Sequence, residues 1–479
     1  MKNIIFVAAE AVPFEKTGGL ADVIGSLPAA IKEKGGDVRV IMPKYGTIPE
    51  DLLENYNHIT DFIVQVGWRN QFCALGEVIY QGIYYYFIDN EYYFKRDNLY
   101  GYDDDAERFA FFNRAVLESL PKIAGFRPDI IHCHDWHAAL IPMMIEEDYK
   151  DNPFYKDIKT VLTIHNLKHQ GVFSPFILGD ILGIAPDSPS ADNLDFNGAV
   201  NYLKGGLVYA DSITTVSPTY AQEIQDPYYG EGLDNILREQ GDRLKGILNG
   251  IDYKVFNPLT DAHLSVNYRS SLEKKAQNKV ALQSILGLPQ NKSVPLLGLV
   301  TRLDAQKGLD LVTRIMDELM VEDLQMVVLG TGEKAYEDSF YYFAYKYPAK
   351  LAARIEFDGS LARKIYASSD ILLMPSQFEP CGLAQMIAMR YGTVPIVRET
   401  GGLSDTVTPY NEYTDEGDGF SFANFNAHEL LYVIKRAMRI YREDKVEWKK
   451  IVNRGQKKDF SWKGSAGEYM ALYEELAGR

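Results

Sequence analysis

Short apolar runs of three to five residues recur along this chain, separated by longer stretches with helical apolar spacing. In the first half they are Ile4 to Ala8, Val38 to Met42, Ile130 to Cys133, Val161 to Ile164 and Ile213 to Val216. In the second half they are Leu296 to Val300, Met326 to Leu329, Ile355 to Phe357, Ile371 to Met374 and Val394 to Val397. Unbroken apolar strands alternating with helices are the pattern of parallel sheets covered on both faces. The chain is therefore expected to be α/β, with two doubly wound units of about five strands each. Asn249-Gly250 marks a turn at the joint, giving domains over 1–245 and 246–459. Trp462 to Leu476 has helical spacing, which alone does not say where it packs.

One string occurs near both ends of the chain, as Thr17-Gly18-Gly19-Leu20-Ala21-Asp22 and Thr400-Gly401-Gly402-Leu403-Ser404-Asp405. Paired glycines opening a helix let backbone amides approach a phosphate. Two copies suggest two halves facing one anionic ligand. Lys16 precedes the first copy and Glu399 the second, so only the first adds a cation.

Composition narrows the class. The 479 residues are 46% hydrophobic, enough for more than one core, and the net charge of −16 argues against a nucleic-acid partner. Cys73, Cys133 and Cys381 are odd in number and scattered, as expected of a reducing cytoplasm. The apolar run before Glu10 is too short for a signal peptide, and no stretch approaches the roughly 20 apolar residues of a membrane span. A cytoplasmic protein without membrane attachment is expected.

Between Ile83 and Phe112 lie many aromatics, including Tyr93, Phe94, Tyr100 and Tyr102, with Asp103-Asp104-Asp105. Phe109 to Phe112 read as core, whereas Tyr93 to Tyr102 read as a polar loop whose exposed rings suit sugar stacking. His132-Cys133-His134-Asp135-Trp136-His137 ends a predicted strand. His132 and His134 share a strand face, which permits two metal ligands, but no further cluster at ligand spacing follows. Asp135, and His165-Asn166 on the next strand, read better as polar residues at the C-terminal edge of a sheet, where open α/β proteins bind ligands.

In the second half Arg302 and Lys307 follow a strand and are placed to stabilise a departing pyrophosphate. Glu379-Pro380-Cys381-Gly382-Leu383 follows another. Glu379 repels phosphate but can grip sugar hydroxyls while the adjoining amides take the anion; Cys381 reads as a packed thiol. Gly330-Thr331-Gly332-Glu333-Lys334-Ala335 matches a loose dinucleotide fingerprint away from any first βαβ unit, so an oxidoreductase has weak support.

These motifs, taken in order with Asn249-Gly250-Ile251-Asp252, resemble the bacterial glycogen synthases, retaining glucosyltransferases related to the plant starch synthases. The resemblance covers nearly the whole chain. It implies two Rossmann-like domains around a cleft (the GT-B fold), with the final helix, 460–479, returning to the N-terminal domain. It implies ADP-glucose as donor, the non-reducing end of an α-1,4-glucan as acceptor, and neither a cofactor nor a metal. Carried over, Lys16, Gly18 and Gly19 lie near the donor phosphates, and Asp22 and Asp135 line the N-terminal wall beside Asn166. His165 holds the transferred glucose, and Asn249 sits at the joint. Arg302 and Lys307 bind the diphosphate, and Glu379 faces the donor sugar. Cys381, Gly382, Leu383 and Ala384 hold phosphate; Ala384 stands where the family often has threonine. The family's aromatic-Asp-Arg appears as Phe94-Lys95-Arg96, which leaves Arg96 on the acceptor side.

The chain shows no well-placed carboxylate nucleophile, so same-face attack, in which the departing phosphate oxygen takes the acceptor proton, fits better than a two-carboxylate double displacement. A sugar-nucleotide epimerase of the same build and a non-catalytic glucan-binding protein are the alternatives.

Overall fold

The computed structural model describes residues 2–478. They form two compact units, one running to Gly250 and regaining the chain at Trp462, the other spanning Ile251–Ser461.

Unit 1 contains β1 (Asn3–Val7), β2 (Asp37–Pro43), β3 (Asn57–Val66), β4 (Arg69–Tyr80), β5 (Ile83–Asp89), β6 (Ile130–His134), β7 (Lys159–Ile164), β8 (Val172–Phe173), β9 (Asp195–Phe196), β10 (Ala199–Asn201), β11 (Ser212–Thr215) and β12 (Leu244–Gly246). Nine of them make one sheet in the order β12-β11-β7-β6-β1-β2-β5-β4-β3, and β8, β10 and β9 form a small separate sheet. The large sheet is parallel except where β4 pairs antiparallel with β3 and β5. That antiparallel edge is absent from the apolar-run reading. The outer strand β3 is exposed or half-buried except at Val64 and Val66, so it carries no continuous apolar run. Helix Trp462–Leu476 packs in this unit against helix Gly19–Glu33.

Unit 2 contains β13 (Leu296–Val300), β14 (Gln325–Leu329), β15 (Leu351–Arg354), β16 (Ile371–Met374), β17 (Val394–Arg398) and β18 (Phe420–Phe422), in a fully parallel sheet ordered β15-β14-β13-β16-β17-β18. The strand expected at Ile355 to Phe357 lies earlier, at β15, whose Leu351 pairs with Met326. The chain has left the sheet by Phe357, which is 84% exposed, and Asp358 then caps the helix Gly359–Ser368 by accepting from the Ser360 and Leu361 amides.

In each sheet the strand order reverses beside the first strand, between β1 and β6 and between β13 and β16. Loops leaving the C-terminal ends of such strands diverge and leave a crevice. The Lys16 loop follows β1, Asp135 follows β6, Arg302 and Lys307 follow β13 and Glu379 follows β16, while His165 follows the neighbouring β7.

Candidate active site

In unit 2 the β13 and β16 loops are stitched together. Gln377 N donates to Gln306 O at 2.8 Å, and Gln306 Nε2 to Phe378 O at 3.3 Å. Lys307, ending a short 3-10 turn, reaches both Glu379 oxygens at 3.0 and 2.8 Å. Ser376 Oγ donates to Glu379 Oε2 at 2.9 Å. Lys307, Ser376, Glu379, Gly382, Leu383 and Ala384 line a pocket of about 100 Å³ floored by Leu299 to Thr301 and Leu373 to Pro375. A lysine and a carboxylate held rigidly at such a crevice offer a cation to phosphate and an acceptor to sugar hydroxyls. Ser376 has no motif signal; only its contact with Glu379 reveals it.

Two of the carried-over residues stand apart from this lining. Arg302 does not line this pocket; its side chain is 55% exposed and pairs with Asp304 at 3.4 Å. Cys381 is buried and lies outside the lining. The second glycine pair is a packing device. Gly402 N donates to Glu379 O and Pro380 O at 3.1 and 3.2 Å, and a Cβ on Gly402 would stand 2.2 Å from Cys381 O. The Gly402 amide thus holds the Glu379 segment instead of facing an anion. Gly330 likewise serves close approach, with a Cβ there 1.8 Å from Thr301 O.

In unit 1 the loop after β1 is organised by Glu10, a residue the sequence reading passed over. Its buried carboxylate accepts from Thr17 N, from Thr17 Oγ1 at 3.0 Å, and from the Gly18 amide. Burial nonetheless raises its pKa above the usual carboxylate range. Of the two expected phosphate-facing glycine amides, Gly18 is therefore engaged inside the protein. Gly19 opens helix Gly19–Glu33, whose first-turn amides lack intrahelical acceptors. Lys16 Nζ bonds both oxygens of Asp22 at 2.7 and 2.8 Å. The one available clue to Glu10 was a carboxylate directly ending an apolar strand.

At the end of β6, Asp135 adopts φ +57° and accepts from His165 N at 2.7 Å and from the Asn166 amide. Burial lifts Asp135 to about 7, against those two donors. Asp135 thus braces the β7 loop from within instead of lining a wall. His165 Nε2 lies 3.0 Å from His134 Nδ1, and burial lowers His165 to about 3. Asn166 Oδ1 accepts from Lys168 N at 3.1 Å. Asn249 Oδ1, at the end of unit 1, is buried without a hydrogen-bond partner among the described residues. No group of three or more His, Cys, Asp or Glu among the described residues is placed to hold a metal ion.

The expected exposed aromatic loop is largely internal. Tyr93 and Phe94 are fully buried, the Tyr93 hydroxyl donating to Glu107. Asn90 caps the short helix Glu91–Phe94 through Tyr93 N, which turns these rings inward. Arg96 is committed to Asp104, at 2.7 and 2.6 Å, and to Tyr92 O at 3.0 Å. Tyr100 and Tyr102 are half-buried, and Tyr92, just before this loop, is 69% exposed.

A family model described as the starch synthase catalytic domain matches residues 3–239, and one described as glycosyl transferases group 1 matches residues 287–454. The protein is thus a glycosyltransferase with two Rossmann-like units, the GT-B class. Glycogen synthase of Desulforamulus reducens is 55% identical over 99% of this chain and 98% of its own length. That of Clostridium novyi is 54% identical over 99% of both. The catalytic domain of starch synthase IV from Arabidopsis thaliana, solved with ADP and acarbose, superposes with a TM-score of 0.93 at 34% identity, covering 100% of both chains. A sucrose-phosphate synthase from Thermosynechococcus elongatus shares the fold alone, at 17% identity and TM-score 0.62 over 99% of each chain. The chain belongs to the glycogen and starch synthase family.

Proposed function

We propose that this glycosyltransferase moves a glucosyl unit from ADP-glucose to the non-reducing end of an α-1,4-glucan, with retention at the anomeric carbon. The observation that carries the reading is the Lys307–Glu379 pair in the unit 2 pocket, a fixed cation and a fixed acceptor beside the Gly382 to Ala384 turn. The nucleotide is supported by the starch synthase relative, which was solved with ADP. Lys307 and Arg302 take the diphosphate, Glu379 takes donor-sugar hydroxyls, and the Gly382–Ala384 backbone takes phosphate oxygens. In unit 1, Lys16 and the first amides of helix Gly19–Glu33 are assigned to phosphate, and His165 to the transferred sugar.

In the step proposed, the bond from C1 to the phosphate oxygen breaks as the acceptor O4 attacks C1 from the same face. The acceptor proton passes to the departing phosphate oxygen. Charge grows on that phosphate, so fixed cations lower the barrier; losing one such donor typically costs about 100- to 1000-fold in rate. No helix among the described residues is long and apolar enough to cross a membrane. Three buried free cysteines support placing the chain in a reducing cytoplasm.

The test is glucan-dependent release of nucleoside diphosphate, with ADP-glucose and UDP-glucose compared on glycogen. ADP release with chain lengthening is expected. Preference for UDP-glucose would overturn the donor, and free sugar without elongation would point to the epimerase reading.

A further inference from the structure

His132 and His134 stand two residues apart on one face of β6, with ring centroids 4.2 Å apart. Both nitrogens of His132 are engaged, Nδ1 with the Tyr473 hydroxyl at 2.7 Å and Nε2 with Thr163 Oγ1 at 2.5 Å. His134 differs. Its Nδ1 meets His165 Nε2 at 3.0 Å, while its own Nε2 is buried with no partner among the described residues. Phe6 packs on both β6 rings, with centroids 4.8 and 4.9 Å away. Burial holds His134 and His165 below the usual histidine range, so each ring carries one proton at neutral pH and a single proton lies in the contact between them.

We infer that His134 is a positioning residue for His165, donating from Nδ1 to His165 Nε2 and so fixing the His165 proton on Nδ1. A proton on His134 Nε2 would be a buried donor without an acceptor, the rarer and costlier arrangement. Placed on Nδ1, it is satisfied by His165 Nε2. His165 must then carry its own proton on Nδ1, which has no hydrogen-bond partner among the described residues. That nitrogen becomes a donor, suited to a sugar hydroxyl oxygen or to developing negative charge. Asp135 holds the His165 backbone while His134 holds its ring, so the two constraints are separable. His132 cannot substitute, since both its nitrogens are occupied. The catalytic consequence rests on the assignment of His165 to the transferred sugar; the tautomer does not.

Full-length protein carrying 15N-histidine tests this by long-range proton–nitrogen spectra, with the His165 signals identified by their loss in His165→Ala. The expected spectrum has a protonated Nδ1 and a bare Nε2 on His165. A protonated Nε2 would overturn the inference without reference to activity. In kinetics, His134→Leu is expected to lower kcat about 10- to 100-fold with little change in KM, as misplacement of a substrate-contacting group does. His134→Asn, which keeps a donor at the Nδ1 position, should recover most of that loss. Equal losses in the two variants would show that His134 only fills space, and the positioning role would fall. Near-normal turnover in His165→Ala would instead sink the sugar-contact assignment, a result separable from the spectrum.

Discussion

Lys307 Nζ sits 2.8 and 3.0 Å from the two oxygens of Glu379, with side chains only 15% and 9% exposed. Neither residue can be removed without leaving the other charge half-solvated. Lys307→Ala is expected to lower kcat about 100- to 1000-fold. It should also destabilise, because an unpaired buried carboxylate remains; breaking buried pairs costs about 3–5 kcal/mol. Lys307→Ala with Glu379→Gln should recover much of the stability but not the activity, as read by urea denaturation and ADP release. Near-normal turnover in Lys307→Ala would remove Lys307 from the reaction.

Arg302 is the opposite case. Its side chain is 55% exposed and its partner Asp304 is 3.4 Å away, so Arg302→Ala should shift stability by no more than about 0.5 kcal/mol. If Arg302 takes diphosphate, the same variant loses turnover while unfolding normally. Unchanged steady-state kinetics would make it a solvated surface charge.

Gly402→Ala tests the packing reading of the second glycine pair. The added methyl meets the Cys381 carbonyl, so overpacking of about 1–3 kcal/mol is expected, with kcat reduced through displacement of Glu379. Gly359→Ala, where a Cβ has nothing within 4 Å, is the control and should leave both measurements unchanged. Equal behaviour of the two variants would contradict the packing role.

Glu10→Ala removes the acceptor of the Thr17 and Gly18 amides. Stranding such donors costs about 1–3 kcal/mol, and the loop that carries Lys16 loosens with them. A rise in hydrogen exchange confined to residues 15–20 is the expected signature. Exchange there that matches the unsubstituted protein would mean the loop holds its shape without Glu10.

Buried His134 makes stability depend on acid. Its folded-state pKa lies well below the ordinary value because burial penalises the charged ring. The unfolded chain therefore takes up a proton near pH 6.5 that the folded chain refuses, so this group's contribution is lost as pH falls below that value. The loss is about 1.4 kcal/mol per pH unit. The stability difference between the unsubstituted protein and His134→Asn should thus shrink by roughly 2 kcal/mol from pH 6.5 to 5. A difference constant with pH would show that the folded ring titrates as the unfolded one does, and that burial does not depress it.

The contrast between strands shows what could be read beforehand. β1, β13 and β16 are buried on both faces, so each leaves a run of apolar side chains visible one residue at a time. β3 does not, because its outer face is solvated. Lys307 and Glu379 were visible as charges just past strand ends, positions that parallel sheets hold open. Their mutual contact was not, since 72 residues separate them. The aromatic stretch misled for a related reason: polar neighbours in sequence suggested a surface loop, while Asn90 capping and the Arg96–Asp104 pair fold Tyr93 and Phe94 inward.

By itself, the sequence determined the α/β alternation, the strand-end placement of Lys16, His165, Arg302, Lys307 and Glu379, and the family to which they belong. Those features are local, written in burial period and in glycine, lysine and glutamate spacing. Only the tertiary structure decided which amides of a glycine loop are already occupied, and that His134 partners His165. Hydrogen-bond pairing is a property of distances between atoms from different strands. Chain order carries no record of it.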